Sequence, residues 1–207
     1  MYHIYHTEGI ILASTATGES DRFFQILTPD LGLIPAVARG SRALVSKLKY
    51  HLSDHAHIQL DLVRGKEVWT ITGVMPTDDG VPELTVSPYV MMLASFVKRL
   101  VHGQEPSHEL FATMVAAWRL LAAVPQSIAS DSTVHDVTYN AVSGMASDAI
   151  VLAAKLYILA FLGYASNVSV LARVGDTPFC AETVMIVTAN KGVATREVAR
   201  SLAETHL

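Results

Sequence analysis

A chain of 207 residues, 51% of them hydrophobic and only 16% charged, has the material for one or two domains with sizeable cores. A net charge of −4 excludes a protein that coats nucleic acid with its whole surface. The single cysteine, Cys180, excludes an internal disulfide and a four-cysteine zinc site, and it fits a reducing cytoplasm. The longest apolar window, residues 149–164, is broken by Lys155 and falls short of the ~20 residues a membrane span needs. The N-terminal MYHIYHTEG lacks the cationic-then-apolar order of a secretory leader, so no membrane association is expected.

From residue 7 to residue 74 the pattern is strand-like. Residues 9–13 form an apolar strand candidate closed by a polar segment with Gly18, and residues 22–28 follow. Pro29-Asp30-Leu31-Gly32 reads as a hairpin turn into a third strand over 33–38, where Pro35 predicts an edge position or a bulge. Ala56, Ile58, Leu60 and Leu62 then alternate with His55, His57, Gln59 and Asp61, which predicts one buried and one wet face. Arg64-Gly65-Lys66 turns the chain back into a fifth strand over 67–74. Five short strands with a longer insertion between the third and fourth match a small Greek-key barrel of the OB type.

Beyond a Gly/Pro-containing link at 80–83 the period becomes helical. Ser87-Pro88 is an N-cap and first-turn proline for a helix over 89–102, ended near Gly103. A second helix runs from about Ser107 to Val124, stopped by Pro125, and a short one is expected over 133–140. Ser147-Asp148 caps the most apolar helix, 149–162, which ends at Gly163 and is expected at the centre of its domain. An amphipathic helix covers 194–205. The expected architecture is α+β, β then α, with the barrel in 1–79 and a helical domain in 84–207, irregular over 165–193.

The chemistry concentrates between Ala38 and Leu52. ARGSRALVSKLKYHL carries Arg39, Arg42, Lys47 and Lys49 and no carboxylate, a local field suited to phosphate. Arg22, Arg64 and Lys66 are the barrel's other cations, but through Thr77 seven acidic residues balance the seven basic ones. Binding is therefore expected to depend on the run. A site for a phosphate backbone would also use stacking of bases, for which Tyr5, Phe23, Phe24, Trp69 and above all Tyr50, beside the cations, are candidates against the plainer expectation of core aromatics.

The order TEGIIL, GESD, ILTPDLG, ARGSR…SKL and RGKEVWTIT resembles the N-terminal domain of the bacterial recombination mediator family RecO, and LYILAFLGY is similar to that family's late core helix. Arg39 and Arg42 match the family's A-R-G-x-R element and Lys47 its S-K-L element. The resemblance implies a non-enzymatic, cofactor-free DNA-repair protein, cytoplasmic and nucleoid-associated. Such a protein binds single- and double-stranded DNA, anneals strands, and with RecR helps recombinase replace single-strand-binding protein (SSB). RecF is a further candidate partner. The resemblance also implies a helical domain that docks the SSB C-terminal tail, for which Lys98, Arg99, Arg119 and Lys155 are the cations considered, with Arg173. Many members carry a four-cysteine zinc element after the core helix, of which only Cys180 stands here, so that element is expected to be degenerate or absent.

Other readings compete. His51, His55 and His57 are close enough in sequence to suggest a metal-dependent hydrolase, but a solvated histidine face is the plainer expectation. Arg64-Gly65-Lys66 lacks the upstream glycine of a phosphate-binding loop, and Cys180 has no neighbouring base. A barrel adaptor binding RNA or protein, including one that merely docks RecR, is the remaining alternative.

Overall fold

The structure, a computed structural model, describes residues 3–41, 51–77, 87–124, 147–164 and 177–204. Its first strand, β1 (Ile4–Thr17), is far longer than the apolar stretch 9–13 suggests. A register shift between Ile11 and Ala13 bends it, so its first half pairs with β4 (His57–Arg64) and its second half with β2 (Asp21–Thr28). One bent strand thus serves two neighbours, which is how a five-stranded sheet closes on itself. The turn at Pro29–Leu31 leads into β3 (Gly32–Ala38), and β5 (Trp69–Pro76) completes a closed barrel in the order β1-β2-β3-β5-β4.

β3 meets β5 in parallel only through Ala36 and Val37. Pro35, which has no N–H to give, precedes this short ladder. Inside the barrel Ile11, Phe24, Ile26, Ile34, Leu60, Leu62, Trp69 and Ile71 form the core, and Leu52 enters it from the segment before β4. The inward alternation over Ile58, Leu60 and Leu62 is as the sequence predicts.

The opposite face of β4 is not the solvated histidine face expected. His57 keeps 2% of its side-chain surface, with Nε2 lying 3.2 Å from a Glu8 carboxylate oxygen. Phe111 covers it, the two ring centroids 5.7 Å apart. His55 is half-buried at φ 68°, and burial holds its pKa below the ordinary value, with Asp54 opposing and Lys98 reinforcing the shift. Of the three histidines only His51 is exposed.

The described helices are α1 (Pro88–Leu100), α2 (His108–Ala123), α3 (Ser147–Phe161), α4 (Ala181–Ala189) and α5 (Lys191–Glu204). Ser107 Oγ accepts the Leu110 N–H at 3.3 Å, as expected of a cap. α3 ends as its Gly163 suggests, with the Tyr164 N–H donating to Leu159 O and the Gly163 N–H to Ala160 O. Helix α4 lies in the stretch 165–193, expected to be irregular. Its first turn is held by a reciprocal pair: the Thr183 N–H donates to the Cys180 side chain, and Thr183 Oγ1 accepts the Cys180 N–H. The short helix expected over 133–140 lies outside the described residues.

Two compact units emerge. One comprises residues 1–87 and 94–111, the other residues 88–93 and 112–207. In the second, α3 is buried almost all round, through Ile150, Val151, Ala154, Leu156 and Ile158 among others, and both α4 and α5 pack on it. No described helix is long and apolar enough to cross a membrane.

Candidate nucleic-acid interface

The basic run leaves the barrel at the end of β3. Arg39 is exposed there. Arg42, Lys47, Lys49 and Tyr50 lie outside the described residues. Both ends of the run are held by the first two residues of β2. The Gly40 N–H donates to an Asp21 carboxylate oxygen at 2.8 Å, and Gly40 takes φ +63°, which its missing Cβ makes inexpensive. At the returning end the Arg22 guanidinium donates to Leu52 O at 2.7 Å. The same group donates to Ser14 Oγ and lies 3.5 Å from Asp54, whose carboxylate accepts the Ser14 hydroxyl. Its charge sits 5.0 Å from the centre of the Phe24 ring. Arg22, a sequence candidate for phosphate contact, is therefore engaged within the barrel.

Arg64 and Lys66 are exposed where β4 turns into β5. Arg64 stands opposite Trp69 in the ladder, its guanidinium 5.8 Å from the ring centre. Trp69 in turn meets Tyr5 edge-on at 5.0 Å, and Tyr5 meets the exposed His3 at 4.6 Å. Trp69 and Phe24 are buried as core residues, while Tyr5 and Phe23 are half-buried. The barrel thus presents Arg39, Arg64 and Lys66 to solvent, with a ring series from Arg64 through buried Trp69 and half-buried Tyr5 to exposed His3. Such cations neutralise phosphate without reading bases.

In the helical unit, Lys155 lines a groove of about 380 Å³ together with Tyr89, Met92, Val151, Leu152 and Leu202. Lys191, which the sequence does not single out, stands at the same groove and pairs with Asp148 at 3.5 Å. Lys98 and Arg99 belong instead to the part of α1 in the barrel-containing unit, and Arg119 is exposed on α2. No group of three or more metal-ligating side chains occurs among the described residues.

The family profile described as "Recombination protein O N terminal" matches residues 1–78, the whole barrel. By this match the barrel is similar to the N-terminal domain of the RecO family. The DNA repair protein RecO of Dehalococcoides mccartyi strain BAV1 is 45% identical over 71 residues, 34% of this chain and 28% of that protein. RecO of Heliobacterium modesticaldum is 30% identical over 125 residues, covering 59% of this chain and 45% of the relative. RecO of Roseiflexus sp. strain RS-1 is 30% identical over 167 residues, covering 78% and 50%. The chain spans about half or less of the length of these RecO relatives.

Proposed function

We propose that the chain acts in DNA repair as a recombination mediator that binds DNA through its barrel and catalyses no reaction. The observation that carries this reading is a barrel matched end to end by the RecO N-terminal profile with exposed cations at the end of β3 and in the β4–β5 turn. On this reading single- and double-stranded DNA are held by their phosphates, strands anneal, and RecR, with RecF as a further partner, cooperates in loading recombinase on SSB-coated DNA. The apolar groove with Lys155 and Lys191 suits an acidic, apolar peptide such as the SSB tail. Its site of action is the nucleoid in the cytoplasm.

The test is fluorescence anisotropy of a labelled single-stranded oligonucleotide across a salt series. The intact protein is compared with a variant carrying alanine at Arg39, Arg42, Lys47 and Lys49. Four lost phosphate contacts lower the log–log salt slope by about 3. Binding that is absent even at low salt refutes DNA handling by the barrel and leaves docking of RecR as its role.

A further inference from the structure

Two adjacent residues of β2 hold the described residues on either side of the basic run. Asp21 accepts the Gly40 N–H at 2.8 Å just after β3, and Arg22 donates to Leu52 O at 2.7 Å just before β4. Neighbouring residues of a strand face opposite sides. Arg22, paired with the inward-facing Ala38, lies over the barrel interior above Phe24, and Asp21 is free to reach the outgoing chain. Ser41 and Leu52, beside the two contacts, are 1% and 0% exposed, so each end is also seated by burial. We infer that Asp21 and Arg22 are positioning residues that fix the two feet of the basic run, so that its cations meet a phosphate backbone from a set base. This rests on the reading that the run contacts DNA.

The inference reverses what charge alone predicts. Asp21 is a carboxylate beside a cationic run, so removing its charge should by field effects tighten DNA binding. A tether predicts that the outcome depends on whether the acceptor survives. Asp21→Asn keeps an oxygen for the Gly40 N–H, whereas Asp21→Ala removes it, and both delete the same charge. Arg22→Lys keeps the charge but loses the planar fork that reaches Leu52 O and Ser14 together.

The experiment measures oligonucleotide anisotropy and Gly40 amide exchange for these three variants beside the intact protein and the four-alanine variant. Circular dichroism confirms that each is folded. D21N is expected to bind as well as the intact protein or better, and D21A at least threefold more weakly than D21N. Gly40 exchange should be about fivefold faster in D21A than in D21N, the worth of one ordinary hydrogen bond. R22K should bind about threefold more weakly than the intact protein, where a phosphate ligand would tolerate lysine. Equal affinities for D21A and D21N, with the four-alanine variant impaired, overturn the tether. A four-alanine variant that binds normally overturns the DNA reading instead, and equal Gly40 exchange in D21A and D21N then overturns the tether independently.

Discussion

Gly32 opens β3 at φ +67°, and the space where a Cβ would stand is already filled: Glu105 O lies 2.4 Å and Glu105 N 2.7 Å from that point. Both are backbone atoms of the α1–α2 connection, which cannot rotate away as a side chain could. The same contact includes the Ser107 N–H donating to Pro29 O at 3.0 Å, while Thr28 Oγ1 accepts the Leu31 N–H at 3.1 Å inside the turn. Gly32→Ala therefore meets two penalties. An alanine in the left-handed region costs about 1–2 kcal/mol. Displacing the 105–107 backbone to admit the methyl loosens the Ser107–Pro29 bond and its surroundings, a further loss of about 1–2 kcal/mol. Gly18→Ala is the control, since Gly18 has φ +60° and nothing within 4 Å of its would-be Cβ. Urea unfolding followed by circular dichroism should show Gly32→Ala to be the more destabilising by about 1–2 kcal/mol, the part due to the lost contact alone. Equal losses in the two variants would refute the close approach of the β2–β3 turn to the α1–α2 connection.

Two further outcomes are expected. His55 has its pKa lowered chiefly by burial, so the unfolded chain takes up its proton first as pH falls, and the stability it contributes is full above pH 6.5 and lost below it. Asn tolerates φ 68°, so His55→Asn should flatten the fall in urea stability between pH 7.5 and 5.5, and an unchanged pH profile would exclude His55 as its source. In the helical unit Met92 is exposed at the groove, so Met92→Asp adds a carboxylate without unpacking the core. Binding of a labelled SSB-tail peptide should fall about tenfold or more in this variant, from lost apolar contact and like-charge repulsion together, and an unaffected affinity would place the peptide elsewhere.

The barrel was legible in the sequence because its strands carry short-range signals. Residues 56–62 alternate cleanly, and Pro29 to Gly32 is a turn by composition. What stayed hidden depends on partners distant in sequence. The length of β1 escapes a period-two reading because its bulge near Leu12 interrupts the alternation. The burial of His57 is imposed by Phe111, a residue of α2, and nothing around position 57 announces it. Helix α4 carries Thr183, Val184, Ile186 and Val187, residue types that favour strands, and its packing on α3 overrides that preference. Of the candidate site, the placement of Arg39, Arg64 and Lys66 on the surface was legible from charge. The engagement of Arg22 was not, because its acceptor Leu52 O is thirty residues away. Lys191 reaches the groove from the start of α5, and only the packing of α5 on α3 brings it near Lys155.

The balanced charge of the barrel conceals how differently its two signs are used. Glu8 lies against His57, Asp21 accepts the Gly40 N–H, and Asp30 accepts the Thr7 hydroxyl and faces His108 at 3.6 Å. Asp54 accepts the Ser14 hydroxyl beside Arg22, and Asp61 lies 2.6 Å from His6 Nδ1. These carboxylates tie β1 to β4, the hairpin turn to β1 and to the first residue of α2, and the basic run to β2. Each lies against a hydroxyl, an amide or an imidazole of another segment, and Asp54 also lies 3.5 Å from the Arg22 guanidinium. Arg39, Arg64 and Lys66 are left on the outside. The barrel's formal sum of zero predicts no attraction for a polyanion, and it also counts Glu19 and Glu67, which are exposed. Placement instead predicts attraction at the end of β3, where Arg39 is exposed, and a weaker pull at the β4–β5 turn, where exposed Glu67 offsets part of the field of Arg64 and Lys66.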